Sequence, residues 1–347
     1  MFDSNKYVNA DIEQIVNNEA IDWNQFVNKS VLVTGATGLI GTLVVKALLA
    51  RDIKVYAAIR NEEKAKKIFN DFLDNDKLQF VIMDIMKFDT FDFDVDYIIH
   101  TASQTSSKLF VEKPVETINT TLKGTQNILS IAKEKTVKGM IFLSTMEVYG
   151  TPSTDEKIRE DHPTNLDTTV VRNCYPISKR MAENLCTSYA KEYDVPVKVL
   201  RLTQTFGPGV LYNDGRVFAE FARCAIEGRD IVLHTKGETK RNYLYVADAV
   251  AAILIALTKG EAGQAYNVAN EDTYCSILEM AELVANDIAK GNIKVNVEVE
   301  EDLSKFGYAN TLKMNLDTSK IQSLGWKPEK DLKQMFGQLI LFMSDYN

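Results

Sequence analysis

Short β-branched runs alternate with longer helical stretches along the first two-thirds of the chain. Residues 30–34, Ser-Val-Leu-Val-Thr, form the first run, and 54–59, 78–83, 95–102, 139–144 and 197–202 repeat the pattern. Between them, 39–50, 114–135 and 175–193 have the length and apolar spacing of helices, and Pro196 follows the last. Strands alternating with helices predict a parallel, doubly wound α/β sheet, because parallel neighbours need a crossover. Right-handed crossovers then place a ligand site at the carboxyl ends of the strands. After Gly207 the pattern breaks into shorter elements, among them a helix over 217–227 and a strand over 266–268. This part predicts a smaller α/β lobe built from several insertions and interleaved with the main unit.

Before the first strand, acidic and amide side chains surround a weak helical spacing of Ile12, Ile15 and Val16. A helical extension is expected over 1–29. It either packs on the surface beside the first strand or meets another subunit.

Composition narrows the function classes. Of 347 residues, 45% are hydrophobic and 25% charged, ordinary values for a soluble globular protein. A net charge of −8 argues against a nucleic-acid surface while leaving room for a local basic pocket. Cys174, Cys186, Cys224 and Cys275 lack metal-like spacing and read as reduced thiols, and three histidines do not complete a metal set. No run is long and apolar enough to span a bilayer, and no cationic, apolar leader opens the sequence. A cytoplasmic protein without bound metal and without membrane or nucleic-acid partners is expected.

Two motifs carry the chemistry. The first, Val33-Thr-Gly-Ala-Thr-Gly-Leu-Ile-Gly41, stands between the first strand and the first long helix. There Gly35 and Gly38 permit a tight turn and close approach of backbone N–H groups to a dinucleotide pyrophosphate, and Gly41 lets the helix pack on the sheet. Thr37, Leu39 and Ile40 complete this turn. The second strand ends Ala58-Ile59-Arg60-Asn61, with no acid to bind a ribose 2′-hydroxyl. Arg60 tilts the cofactor toward NADP(H), since a guanidinium pairs with a 2′-phosphate, and NAD stays open because a strand-end arginine can simply be solvated. Asp84 and Ile85 follow the third strand as adenine contacts. Thr101, Ala102 and Ser103 are placed beneath the nicotinamide end, with His100 as a packed strand-end residue. The sequence therefore predicts an NAD(P)-binding domain over 30–205, with 206–347 mainly a substrate lobe.

The second motif is Tyr175-Pro-Ile-Ser-Lys179. Residues four apart share a helix face, so a phenol and an ammonium address one site, and the ammonium is expected to lower the phenol's pKa. Tyr175 is then suited to take a proton from an alcohol, with Lys179 beside it also holding the nicotinamide ribose.

At this point the chain resembles the extended short-chain dehydrogenase/reductase superfamily, in particular its NAD-dependent nucleotide-sugar epimerases, dehydratases and decarboxylases. The likeness runs from about residue 30 to Leu324-Gly-Trp-Lys-Pro328. Within it, Ser144-Thr-Met-Glu-Val-Tyr-Gly150 is similar to a Ser-Thr-x-Glu-Val-Tyr-Gly signature. That resemblance implies that Thr145 bonds the substrate's 4-oxygen and Glu147 acts as acid or base beside the ring. Met146 stands where dehydratases of the dTDP-glucose type carry an aspartic acid. Two stretches, Arg172-Asn-Cys-Tyr175 through Cys186 and Phe206-Gly-Pro-Gly through Val217, resemble UDP-glucuronate decarboxylases. By that likeness Arg216 and Arg241 contact the diphosphate or a sugar carboxylate, and Ser103, Thr145 and Gln204 also face the substrate. Arg241 has a structural alternative in an ion pair with Asp248 or a nearby acid. Gln204 departs from the family's Arg-x-x-Asn segment, and Arg60 departs from the acidic strand end favoured by the decarboxylases.

The resemblance implies an enzyme that passes a nucleoside-diphosphate sugar through a transient 4-ketone, ending in decarboxylation, dehydration or epimerisation. It also implies a homodimer paired through long helices. Two alternatives stay open: an NADPH-dependent reductase of a nucleotide-linked keto sugar, and a non-catalytic cofactor-binding protein.

Overall fold

A computed structural model describes residues 3–87, 91–299 and 311–345. The chain begins with α1 (Lys6–Val16), β1 (Ser30–Thr34), α2 (Leu39–Ala50), β2 (Lys54–Ile59), α3 (Glu62–Ile68), β3 (Leu78–Ile82) and β4 (Tyr97–His100). It continues through α4 (Ser107–Glu112), α5 (Pro114–Glu134), β5 (Gly139–Thr145), β6 (Lys157–Ile158), α6 (Cys174–Tyr193) and β7 (Val197–Leu202). Next come β8 (Gln204–Phe206), α7 (Val217–Glu227), β9 (Ile231–Leu233), β10 (Lys240–Tyr245), α8 (Val246–Lys259) and β11 (Ala265–Val268). The last part holds β12 (Asn270–Ser276), α9 (Ile277–Leu283), β13 (Val295–Val297), β14 (Lys313–Leu316), α10 (Ser319–Gln322) and α11 (Leu332–Asp345).

Seven strands form one parallel sheet in the order β3-β2-β1-β4-β5-β7-β11. Both faces are covered, which is why its strands read as nearly continuous apolar runs. Val31 and Val33 pack into the core with α1, α2 and α8, while Leu32 points to the core beneath α5 and α6. The direction of winding reverses between β1 and β4, so a crevice opens beyond their carboxyl ends. This is a Rossmann-type arrangement, as the alternating pattern predicts.

Two expectations need correction, and one helix had escaped the pattern. The fourth strand is shorter than 95–102, because Thr101 and Ala102 leave the ladder to brace the glycine turn and Asp96 accepts the Ser30 N–H at the strand's entry. Helix α1 does not lie on the surface beside β1; it packs on α2 and α8, burying Ile12, Ile15 and Val16 in the main core. Helix α8 had no amphipathic signature to find, since Val246 through Leu257 is buried on every side.

A second sheet runs β12-β10-β14-β6, with β8 also paired to β10. Its strands come from five separated parts of the chain, and β11 returns to the first sheet between them. A short parallel pair, β9 with β13, completes the lobe.

Candidate active site

The glycine turn is built by exclusion of side chains. Gly35 has φ +68°, and a Cβ there would stand 2.6 Å from Thr101 Oγ1 and 2.8 Å from the Ala102 nitrogen. A Cβ on Gly41 would collide with the Gly35 carbonyl oxygen. Gly38 caps α2 without any side-chain hydrogen bond, so the first N–H groups of that helix are left to an anion. Thr37, Leu39 and Ile40 line the same turn, half-buried. The Thr101 hydroxyl donates to the Thr34 carbonyl at 2.7 Å, which makes it a brace for the turn. Ala102 and Ser103 continue from it along the crevice. His100 is buried as expected; its Nδ1 lies 2.6 Å from Thr34 Oγ1, and burial pushes its pKa down to about 3, so the ring is neutral.

At the outer edge Arg60 is exposed at the end of β2, and Asn61 beside it caps α3 by accepting the Lys64 N–H. Asp84 is exposed and accepts the Met86 N–H at 3.0 Å, while the Ile85 carbonyl takes a hydrogen bond from Asn127.

Helix α6 carries the phenol and the ammonium. Pro176 is tolerated in its first turn, where backbone N–H groups have no partner within the helix. The helix is fixed to the sheet by a buried network. Ser144 Oγ donates to Glu183 at 2.5 Å, Arg201 pairs with Glu183 at 2.7 Å, and Arg201 also bonds the Tyr149 hydroxyl. Breaking such a buried pair typically costs about 3–5 kcal/mol, so α6 is held firmly in register with β5 and β7.

Tyr175 and Lys179 are both buried and lie on one face, with the ammonium 6.0 Å from the phenol ring centre. Lys179 Nζ donates to the Leu143 carbonyl at 2.7 Å, and burial lowers its pKa to about 8. The expected lowering of the Tyr175 pKa is not found. Burial pushes the phenol upward and Glu147 adds to the rise, against a hydrogen bond with Thr145 and the charge of Arg172. Lys179 spends its charge on a carbonyl and on the face of Phe142, 4.6 Å away, which is why spacing alone misjudged the pair.

Thr145 and Glu147 follow directly at the end of β5. Glu147 Oε2 accepts from Arg172 Nη1 at 2.7 Å, both groups being partly buried. Phe110 from α4 stacks on the Tyr175 ring at 4.3 Å, and the Arg172 guanidinium lies 5.2 Å from the Phe110 ring centre. The Glu147–Arg172 pair and the Arg172–Phe110–Tyr175 stack bring the end of β5 beside Tyr175 and Lys179 at the start of α6.

The glycine turn follows β1, and the Tyr175–Lys179 face of α6 lies beside the end of β5. The NAD dependent epimerase/dehydratase family matches residues 31–269. The chain belongs to this family. It is 28% identical to UDP-glucuronic acid decarboxylase 1 of Xenopus tropicalis over 313 residues, 90% of this chain and 71% of that protein. It is 29% identical to dTDP-D-glucose 4,6-dehydratase of Mus musculus over 317 residues, covering 87% and 84% of the two chains. The solved UDP-glucose 4-epimerase of Thermotoga maritima superposes with a TM-score of 0.76 at 23% identity, over 91% of this chain and 99% of that one. For a member of the NAD dependent epimerase/dehydratase family the cofactor is a nicotinamide dinucleotide, and the glycine cradle with the uncapped helix end fits its pyrophosphate.

Of the residues that the resemblance assigns to substrate, Gln204 lies on β8 and Arg241 on β10. Thr203 donates to the Met146 sulfur at 3.2 Å and to the Asn242 carbonyl, which ties this edge to the Thr145–Glu147 turn. Gln204 Oε1 and Arg241 Nε are buried there without partners among the described residues. The alternative of an Arg241–Asp248 pair is not what the structure contains. The Asp248 carboxylate accepts from Gln14 and from the backbone of Glu329 and Lys330. Arg216 is partly exposed at the start of α7 and forks onto Asp214 at 2.7 and 3.0 Å. It is not joined to the Tyr175 cluster by any contact among the described residues.

Two residues of the cluster escaped the sequence reading of the site. Arg172 had a usable signal, standing three positions before Tyr175 at the entry to α6. Phe110 had none, since only the tertiary fold carries the six-residue α4 to Tyr175. Among the described residues no group of acidic, histidine and cysteine side chains could hold a metal, and no helix is long and apolar enough to cross a membrane.

Proposed function

We propose that this protein acts on a nucleoside-diphosphate sugar through a transient 4-ketone and returns the hydride before product leaves. The reading is supported most directly by Tyr175 and Lys179 on one face of α6, with Glu147 and its partner Arg172 alongside and Phe110 stacked between Arg172 and the phenol ring. When bound, the nicotinamide dinucleotide supplies the hydride acceptor and donor. Tyr175 takes the hydroxyl proton from C4, Thr145 orients that oxygen, and Lys179 holds positive charge next to the phenol. The 4-ketone acidifies C5, and Glu147 handles the proton there.

Arg172 favours a sugar that carries a carboxylate, because a guanidinium fork suits a planar anion and neutralises it beside Glu147. Loss of that carboxylate as carbon dioxide leaves its electron pair on C5, conjugated with the ketone, and proton return completes the step. Met146 is buried and apolar, so it offers no acid for expelling water. The relatives include UDP-glucuronic acid decarboxylases, which makes UDP-glucuronate the first substrate to try. The product is read by mass spectrometry and proton NMR, with Tyr175→Phe expected to lose at least about 100-fold in turnover. Full turnover by Tyr175→Phe would sink the mechanism.

A second reading rests on Arg60, which tilts the cofactor to NADP(H) and so to a net reductase of a nucleotide-linked keto sugar. Stoichiometric loss of NADPH absorbance with substrate supports it; no net change supports the redox-neutral cycle.

A further inference from the structure

Three buried polar atoms without partners among the described residues cluster on the second sheet: Gln204 Oε1, Arg241 Nε and Tyr243 Oη. Tyr243 and Gln204 are register partners in the parallel strands β10 and β8, so their side chains project to one side. Arg241 precedes Tyr243 by two residues on β10, with a break in the β10–β12 register between them, and its charge acts on the Tyr243 phenol. The Tyr243 ring is fully buried and Phe206 meets it edge-on at 6.1 Å, which fixes the hydroxyl's position. The backbone of Tyr243 is satisfied, since its N–H and carbonyl both bond the Thr273 hydroxyl. Cys275, paired with Arg241 across β12, supplies no anion, because burial and Glu279 push its thiol up to about 12.

Buried polar groups left unpaired are rare and costly, so three together ask for an occupant. Their unmet needs are specific. The guanidinium Nε–H seeks an acceptor, the carboxamide oxygen seeks a donor, and a protonated phenol serves as either. A phosphate alone answers the first need and not the second.

We infer that Tyr243 and Gln204, beside Arg241, recognise a ligand hydroxyl adjacent to the phosphate chain, making Tyr243 a specificity-determining residue of the substrate site. The inference rests on the nucleotide-sugar reading given above. The hydroxyl belongs either to the nucleotide ribose or to the sugar, and both present the same chemistry. Thr203, the residue before Gln204, joins the start of β8 to Met146.

The test is calorimetric binding of UDP and of UDP-glucose to the cofactor-saturated wild type, Tyr243→Phe and Gln204→Met. Each variant is expected to weaken binding about 3- to 10-fold, the range of one hydrogen bond. A loss with both ligands assigns the hydroxyl to the ribose; a loss with UDP-glucose alone assigns it to the sugar. Affinities within twofold of wild type for both ligands overturn the inference and leave the nucleotide-sugar reading standing. If the wild type binds neither ligand, nor dTDP nor GDP, both readings fall together. Without ligand, the melting temperature of Tyr243→Phe is expected to hold or rise, because the hydroxyl has no partner among the described residues. A clear drop would assign the hydroxyl to the fold and overturn the inference as well.

Discussion

Replacing Asp11 with asparagine should remove a pH dependence of stability that α1 imposes on the molecule. Asp11 is 3% exposed. Its Oδ1 accepts the Tyr245 hydroxyl at 2.6 Å, and its Oδ2 has no partner. Burial pushes the carboxyl from 3.8 up to about 7, against the Tyr245 hydrogen bond and the charge of Lys330. Between those two values the folded chain keeps a proton that the unfolded chain has released, so stability falls as pH rises through the window. A shift of about three units at 1.36 kcal/mol each sets a ceiling near 4 kcal/mol. Asparagine stays neutral while its carboxamide oxygen still accepts from Tyr245. The variant should therefore gain on the wild type by up to about 4 kcal/mol between pH 4 and pH 8. With an unfolding entropy near 2.1 cal/mol/K per residue, a chain of this length turns that into about 5 °C of relative melting temperature. Scanning calorimetry of both proteins across the range measures it. Asp248, raised by burial to about 6, titrates in the same window and its charge adds to the rise at Asp11, so the difference between the two proteins reports the pair. Parallel stability curves would refute the argument. The contact also bears on the site, because Tyr245 ends the strand that carries Arg241 and Tyr243.

Gly41→Ala forces a methyl group against the Gly35 carbonyl, and the turn must open to admit it. Dinucleotide affinity, followed by fluorescence titration, should weaken at least about 10-fold, or 1.4 kcal/mol; unchanged affinity would remove the turn from the cofactor site. Arg172→Gln deprives Glu147 of its ion pair and leaves the glycine turn untouched. Turnover should drop about 100-fold while cofactor binding stays the same. If both parameters hold, Arg172 has no part in the reaction.

The sequence by itself determined the main sheet, because strands buried on both faces must be apolar throughout and parallel neighbours must be separated by crossovers. It also placed the glycine turn, since only residues without a Cβ fit where Gly35 meets Thr101 and Gly41 meets Gly35. Tyr175 and Lys179 were legible as candidates because they open a strongly patterned helix, whereas Thr145 and Glu147 entered through the family resemblance. What the tertiary structure alone decided is how those groups are charged and what completes them. Spacing put an ammonium near Tyr175, but burial raised the phenol, and the ammonium turned to the Leu143 carbonyl instead. Helix α8 is apolar all round and so carries no period, and α1 revealed its buried face only once α2 and α8 were in place. The second sheet draws two- to seven-residue strands from five parts of the chain. Pairings of that kind follow from long-range closure, which no local pattern records, and they are what set Gln204, Arg241 and Tyr243 side by side.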